Sequence, residues 1–556
     1  MKKLALVLMI LAVLTLGAAP ALAADPGSGA FALASYFPDD IDVYFGVRAD
    51  EQAIADVDGL LAKLSSFAHE FGATDVPSSM RDILLQMSGI TPDDIDAVLA
   101  WAGDYLAYGM TDTQETAMIV LPLDDRAAAE EFIISRTGDA FTITDTQGTF
   151  TVYEGSGSYL LFSDEVLLAA NAAAPDLLAL LTSGDYPRLS DREGFAEAVS
   201  SLPDENYMLG LYAREDVSRE LNMGLNGISG SAAAGISVLN GTTLAVDIFS
   251  PMTAVFEGDT IDPAFMRHIP VDSNMFIHGS NLGGLIDAGL DPAARQQAAQ
   301  VFTSAGLDLD SVLEWMSGDF AVYSRLDFAS VWQPIMTGIP EGMTQEDLVN
   351  AIDIGLAIEA TDAEAAAQLA QAILLQMRAM PVQAPGSFAE TQEIIGGTDV
   401  TVLSITPADG SGITIRLAIA ANEEVYLTGT YNGVASILGG QGAVDENALV
   451  AEASVYFLPD AHAVWFVDGE MLGGVASVGA LVLLGPAVQN IFDNIADSLN
   501  GTGASAVAPT PAPDPMADLD FDRLMDRLTR FLRHMTASTR IIENGALFRV
   551  TLTLGQ

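Results

Sequence analysis

Cysteine is absent from all 556 residues, which removes disulfides, thiolate chemistry, cysteine metal ligands and any cysteine-built lipid anchor. The fold must therefore rest on an ordinary packed core. Lysine is nearly as scarce, with only Lys2, Lys3 and Lys63. The 22 basic residues stand against 75 acidic ones, a formal net charge of −53. Such a chain repels nucleic acid, whose phosphates demand clustered cations, and resists adsorption to anionic lipid headgroups. Nucleic acid is excluded as a partner, and the acidity itself suits solubility outside the cell. Five histidines, His69, His268, His278, His462 and His534, show no paired zinc spacing, so each is expected at the surface or in a turn.

Reactive motifs are missing as well. A phosphate-binding loop needs lysine after glycine, whereas Lys63 sits in LLAKLSS. The serine-hydrolase elbow needs glycine on both sides of the nucleophile, and the GIS and GAS triplets at Gly227, Gly235 and Gly503 lack the second one. Asp518, Asp520 and Asp522 alternate like the start of a calcium loop, but Arg523 and Thr529 stand where glycine and glutamate are required. The doublets Asp39-Asp40 and Asp93-Asp94 suit turns and first helical turns, where the helix dipole favours acidic groups. No catalytic residue, cofactor-binding residue or metal ligand emerges, no cofactor is implied, and a non-enzyme is expected.

What the chain does contain begins with a leader. Lys2 and Lys3, the apolar run Leu4–Leu16 and the small-residue end Ala21-Leu22-Ala23 have the layout of a secretory signal peptide, cleaved after Ala23. The run is shorter than the roughly 20 residues a membrane helix needs. Export to the periplasm, cell surface or medium follows as the expectation, with no stable transmembrane span after cleavage.

The phrase SYFPDDIDVYFGV at 35–47 has three counterparts: LPDENYMLGLYA from Leu202, IPVDSNMFIHGS from Ile269 and LPDAHAVWFVDG from Leu458. Proline fixes a turn, Asp or Asn bonds locally, and apolar residues suited to a buried strand begin at Val43, Met208, Met275 and Val464. Further landmarks recur in the same order in both halves. WAGDYLAYG from Trp101 answers WMSGDFAVYS from Trp315, each after an Asp-rich helix start. MIVLPLDDRAAAEEFIIS from Met118 answers IGLAIEATDAEAAAQLAQAILL from Ile354, and VLNGTTLAVDIF from Val238 answers IIENGALFRVTL from Ile541. Order is kept while spacing drifts, as surface-loop insertions in a duplicated module allow.

The pattern predicts an α+β class: two tandem copies of a mostly antiparallel sheet module with helices packed on one face, at 24–256 and 257–556. Asp50 is positioned to cap a helix whose apolar stripe is Ile54, Val57, Leu60, Leu61, Leu64 and Phe67. Strands around Gly155 and Gly157 follow one another through tight turns.

Two stretches of the second module stand apart. MLGGVASVGALVLLGPAVQ, Met471–Gln489, carries no charge but holds five Gly or Pro residues; a buried helix is favoured over a ligand-cavity wall or a membrane-associated segment. The Pro/Ala-rich stretch at 500–516 has the composition of a flexible loop. After it, Phe521, Leu524, Met525, Leu528, Phe531, Leu532 and Met535 form one helical stripe beside Arg523, Arg527, Arg530 and Arg533, which are expected to pair with Asp518, Asp522, Asp526 and other acidic neighbours.

Through FPDDIDVYFGV, the Trp-Gly-Asp element and LPDAHAVWFVDG, nearly the whole chain resembles a family of exported bacterial proteins called domain of unknown function 3352. The resemblance implies location and duplication, and neither an activity nor a catalytic residue. The expectation is an exported soluble protein with a non-catalytic binding or structural role, its partner a protein or a small apolar ligand. The alternatives are a carrier or sensor of a lipid or other apolar ligand, with 471–489 lining its cavity, and a hydrolase working through convergent carboxylates.

Overall fold

The structure is a computed structural model that describes residues 29–555 apart from 71–75, 87–90, 112–115, 138–139, 148, 156, 172–174, 204–205, 221–229, 252–257, 305, 328–329, 332–348, 350, 380–385, 408–413 and 475–526. The leader at 1–23, the stretch at 500–516, the calcium-like triplet and all but the first four residues of 471–489 lie outside the described residues. The chain divides into two compact units, Met1–Val255 with Thr539–Leu554, and Phe256–Ser538 with Gly555–Gln556. The division falls at 255/256, and the closing segment from Thr539 joins the first unit.

The first unit contains β1 (Val43–Arg48), β2 (Tyr105–Met110), β3 (Ala117–Pro122), β4 (Thr142–Gln147), β5 (Phe150–Gly155), β6 (Ser158–Phe162), β7 (Val166–Asn171), β8 (Leu209–Ala213), β9 (Ala232–Leu239) and β10 (Thr243–Ser250). Antiparallel pairing sets them in the spatial order β4-β5-β6-β7-β3-β2-β1-β8-β9-β10. The second unit contains β11 (Met275–Ser280), β12 (Asp319–Leu326), β13 (Ile352–Glu359), β14 (Gly386–Ile395), β15 (Thr398–Pro407), β16 (Ile415–Ala421), β17 (Val425–Thr430) and β18 (Ala463–Asp468). Their order is β14-β15-β16-β17-β13-β12-β11-β18, again antiparallel throughout. The class is α+β, with an antiparallel sheet.

The proline phrases act as strand entries. Pro38 bridges Arg188, Phe37 O accepts from Leu189 N at 2.8 Å, and Asp42 N then donates to Met110 O at 3.0 Å, delivering the chain into β1. In the second unit Pro270 bridges Ala443, Ile269 O accepts from Val444 N at 3.0 Å, and Asn274 N donates to Ser324 O at 3.1 Å ahead of β11. Asn240 and Gly241, with φ of 53° and 61°, make the left-handed pair that turns β9 into β10.

Helical elements cover both faces of the sheet, which corrects the expected one-sided arrangement. Period-two alternation sends Val47, Leu106, Leu121, Leu160, Phe162 and Leu167 to one side, where they pack with Ile95 and Val98 of α2 (Pro92–Leu99), Trp101, and Ala129 and Ile133 of α3 (Arg126–Thr137). On the other side Tyr44 stacks at 6.0 Å on Phe31 and meets Phe37 and Phe195 edge-on at 5.3 and 6.0 Å. Phe31 belongs to a 3-10 helix, Gly29–Tyr36, and Phe195 to α4 (Glu193–Ser200). The helix expected after Asp50 is α1 (Glu51–Glu70), capped by Ala53 N donating to Asp50 Oδ1 at 2.8 Å. Its stripe is only half covered: Val57 is buried, while Leu64 is exposed. The Asp93-Asp94 doublet opens α2, where Asp94 and Thr91 form a reciprocal capping box.

The second unit repeats the two-sided plan. One core joins Ala321, Tyr323, Ala357 and Leu427 to Phe265, Val434 of α7 (Tyr431–Leu438) and Val450 of α8 (Ala448–Ser454). The other joins Phe320, Ile358 and Tyr426 to Val312 and Trp315 of α5 (Leu309–Trp315) and Leu369 of α6 (Ala363–Ala379).

The Asn544-Gly545 turn joins two strands as the IIENGALFRVTL phrase leads one to expect, but the helix before it is shorter than its apolar stripe. Only 527–531 of the predicted stripe is helical among the described residues; Leu532 begins β19 (Leu532–Ile542), followed by β20 (Gly545–Leu554). His534 and Thr536 alternate inward along β19 with the period of a strand, so the pattern beyond Phe531 is that of a sheet. Arg533 pairs with Glu452, its Nε at 2.7 Å from Oε1. β20 pairs in antiparallel register with β10, Thr243 with Thr553 through Ser250 with Ala546. Beneath that register Arg549 donates to both oxygens of Asp247 at 2.7 and 2.8 Å, and Tyr207 Oη donates to Oδ2 at 2.7 Å.

Two histidines expected at the surface are buried on strands. His278 of β11 is 0 % exposed, with Nε2 2.9 Å from Asp319 Oδ2, and His534 of β19 is also 0 % exposed. The sequence misleads here because a paired or enclosed imidazole is tolerated at an inward strand position, and its partner lies far away in the chain.

Candidate functional site

A concavity of the second unit lies on the α7 side of its sheet. Arg325, the next-to-last residue of β12, faces Asp353 of β13 directly in the strand register. Its guanidinium spans two carboxylates: Nη1 lies 2.5 Å from Asp272 Oδ2 and Nη2 lies 2.6 Å from Asp353 Oδ2. Asp353 is buried, and burial raises its carboxyl pKa while Arg325 and the Thr430 hydroxyl pull it back down. Two residues earlier on β12, Tyr323 lies on the same face. These groups line a cavity of about 420 Å³ with Ser273 and the first turn of α7.

Local sequence explains how the site is built. Thr430 ends β17 and is the N-cap of α7, yet makes no side-chain cap bond. Its hydroxyl instead accepts from Ile354 N at 3.3 Å and donates to Asp353 Oδ1 at 3.0 Å. Tyr431, Asn432 and Gly433 of the first turn of α7 lie on the cavity wall. Glycine is required beside Tyr323 at two points. A Cβ on Gly355 would lie 2.2 Å from the tyrosine Cζ and Oη, and one on Gly433 would lie 3.1 Å from the same hydroxyl. The ring is thus wedged between β13 and α7. Gly355→Ala is expected to cost about 1–3 kcal/mol through overpacking, measured by urea denaturation, and Tyr323→Leu in the same chain is expected to restore most of it.

Two hydroxyls in this wall are unsatisfied. Tyr323, 1 % exposed, and Ser273, 3 % exposed, have side-chain oxygens without a hydrogen-bond partner among the described residues. Burial raises the Tyr323 pKa well above its ordinary value, so the phenol stays protonated and able to donate. On the rim, Tyr431 Oη donates to Glu393 at 2.7 Å, and the Arg416 guanidinium carbon lies 3.6 Å from that ring's centroid.

A neighbouring cavity of about 650 Å³ shares Asp272 and Arg325 and adds Asn274, Asp327, Asp468 and Glu470. Burial pushes the Asp468 carboxyl up to about 6, against the pull of the Met471 amide, which donates to Oδ1 at 2.9 Å. An acid that holds its proton more tightly when folded stabilises the fold when protonated. That contribution is present below about 4 and is lost as pH rises through about 6. His268 has the opposite sign: burial and Arg267 lower it to about 4, so folding holds it neutral and loses stability as pH falls from 6.5 towards 4. Asp468→Asn is therefore expected to lose the acid-side gain and leave the His268 loss exposed, seen as a steeper fall of the urea midpoint between pH 6 and 4.

The site belongs to the second unit. With β1 and β11 matched from their first residues, the register puts Gly109, Thr111, Thr116 and Met118 where Tyr323, Arg325, Asp353 and Gly355 stand. At Gly109 the space is filled by the Phe37 ring, 2.6 Å from a built Cβ.

None of the cavity residues stands out as a site residue in the sequence, although Asp272 and Ser273 lie in the phrase IPVDSNMFIHGS and Tyr323 in WMSGDFAVYS. Arg325 and Asp353 meet only through strand pairing, and Gly429-Thr-Tyr-Asn-Gly433, a glycine-flanked helix start, is a further local signal. Among the described residues no group of three or more His, Asp or Glu side chains is placed to hold a metal ion, and no helix is long and apolar enough to cross a membrane.

No family model matches the chain, and no curated protein matches it. Among solved structures it is similar to TP0453. Crystal form III matches with a TM-score of 0.26 and 14% identity over 42% of this chain and 83% of that one. Crystal form IV matches with a TM-score of 0.26 and 13% identity over 41% and 81%. Likeness at that level carries no argument about fold or function.

Proposed function

We propose that the protein is an exported, non-catalytic binding protein made of two copies of one α+β module, and that its second module binds a small polar molecule beside Tyr323 and Arg325. The observation that carries the binding reading is the pair of buried, unpartnered hydroxyls in the wall of a cavity. A buried polar group without a partner costs about 1–3 kcal/mol, a cost that a bound ligand removes.

Duplication is supported by the order β4-β5-β6-β7-β3-β2-β1-β8 recurring as β14-β15-β16-β17-β13-β12-β11-β18. Side-chain details recur with it: Asn171 accepts from Ala117 N at 3.2 Å as Thr430 accepts from Ile354 N at 3.3 Å, each at the end of the strand leading into a helix. Export rests on the leader and on the resemblance to exported proteins of the domain of unknown function 3352.

The test is a native mass spectrum of protein purified from its own host. The expected result is a chain beginning at Ala24 that carries a small polar adduct, lost in the Tyr323→Phe variant. A chain retaining 1–23 would overturn the export reading, and an adduct indifferent to Tyr323 would overturn the site.

A second reading, an apolar ligand, is favoured by matching exposed pairs on the two sheets. Phe45 faces Leu211 across β1 and β8, and Ile277 faces Trp465 across β11 and β18, with Phe45, Leu211 and Trp465 at 37, 41 and 41 % exposure. Here the same spectrum is expected to show lipid, and Trp465→Ala to reduce it.

A further inference from the structure

We infer that the Tyr323 cavity takes a neutral, polyhydroxylated ligand, a saccharide or other polyol; this rests on the binding reading above and names its ligand class. The wall juxtaposes fixed acceptors and fixed donors over a short distance. Asp272 and Asp353 accept, while Arg325 and the hydroxyls of Tyr323 and Ser273 donate. Each hydroxyl of a polyol both donates and accepts, so adjacent hydroxyls satisfy such a surface without bringing a charge.

Charged and apolar ligands fit the same wall less well. An anion would share it with two carboxylates in a protein of formal charge −53. A cation would meet Arg325 and the positive end of α7, whose N-cap side chain is turned to Asp353 instead. A zwitterion needs one free charge of each sign, but both guanidinium branches of Arg325 are already held by carboxylates. An apolar ligand would seal the Tyr323 and Ser273 hydroxyls away from any partner. A neutral ligand leaves the Asp272–Arg325–Asp353 bridge intact and uses the lone pairs and protons that the bridge leaves over.

The experiment is calorimetric titration of the full chain with glucose, galactose, N-acetylglucosamine, trehalose and myo-inositol at millimolar concentration. Alanine, inorganic phosphate and spermidine serve as the zwitterionic, anionic and cationic probes. Binding of at least one neutral polyol is expected, weakened roughly five- to tenfold by Tyr323→Phe and by Ser273→Ala, each loss being that of one neutral hydrogen bond. Both variants conserve core volume, and circular dichroism checks that they fold. Binding of alanine, phosphate or spermidine with the same Tyr323 dependence, and of no polyol, would overturn the ligand class while keeping the site. Silence with every probe, together with a higher melting temperature for Tyr323→Phe, would overturn both.

Discussion

Arg549→Met is expected to destabilise the first unit by about 3–5 kcal/mol. Asp247 is 1 % exposed and receives two guanidinium hydrogen bonds together with that of Tyr207. Removing the cation leaves a carboxylate enclosed between β9 and β20 with only a neutral donor, and the cost is mainly that of the uncompensated charge. Asp247→Leu combined with Arg549→Met is accordingly expected to recover most of the loss, because a well-packed apolar pair avoids the desolvation of both ions. Urea denaturation of the three variants measures this. A double variant as unstable as the single one would show that the ion pair itself holds β20 in place.

Trp315→Ala is expected to cost a similar 3–5 kcal/mol, this time in the second unit. The indole is 3 % exposed, closes the core formed by Val312, Phe320, Ile358 and Leu369, and meets Tyr426 edge-on at 6.0 Å. Its Nε1 has no hydrogen-bond partner among the described residues, so its contribution is one of volume and contact. Trp315→Phe should therefore lose markedly less than Trp315→Ala. Thermal unfolding followed by circular dichroism separates the two, and equal losses would point to the indole nitrogen instead.

The parts of this architecture legible in the sequence are those set by local chemistry. Proline, Asp and a following apolar run placed β1 and β11 at Val43 and Met275, and β8 and β18 within one residue of Met208 and Val464. Asp50 marked the start of α1 for the same reason: a cap is decided by neighbours in the chain. The sidedness of the helices was not legible, since a strand such as VYFGVR, with Tyr44 and Val47 buried on opposite faces, does not announce which helix covers which side. Leu532–Met535 continued a helical period by coincidence, and the strand pairing of the chain end overrode it. The cavity was invisible for a simpler reason. Tyr323, Asp353 and Ser273 come from separate elements, and only the register of β12 on β13 brings the first two together.

The pairing of β20 with β10 also bears on synthesis. Every residue of the second unit up to Ser538 is made before the strand that completes the first. At ribosomal rates of roughly 5–20 residues per second, β10 waits tens of seconds with one side unmatched. During that interval it is a template for any extended segment, including the same strand of another nascent copy. The hazard lasts until Gly545–Leu554 is available to pair with β10, whatever route the chain takes.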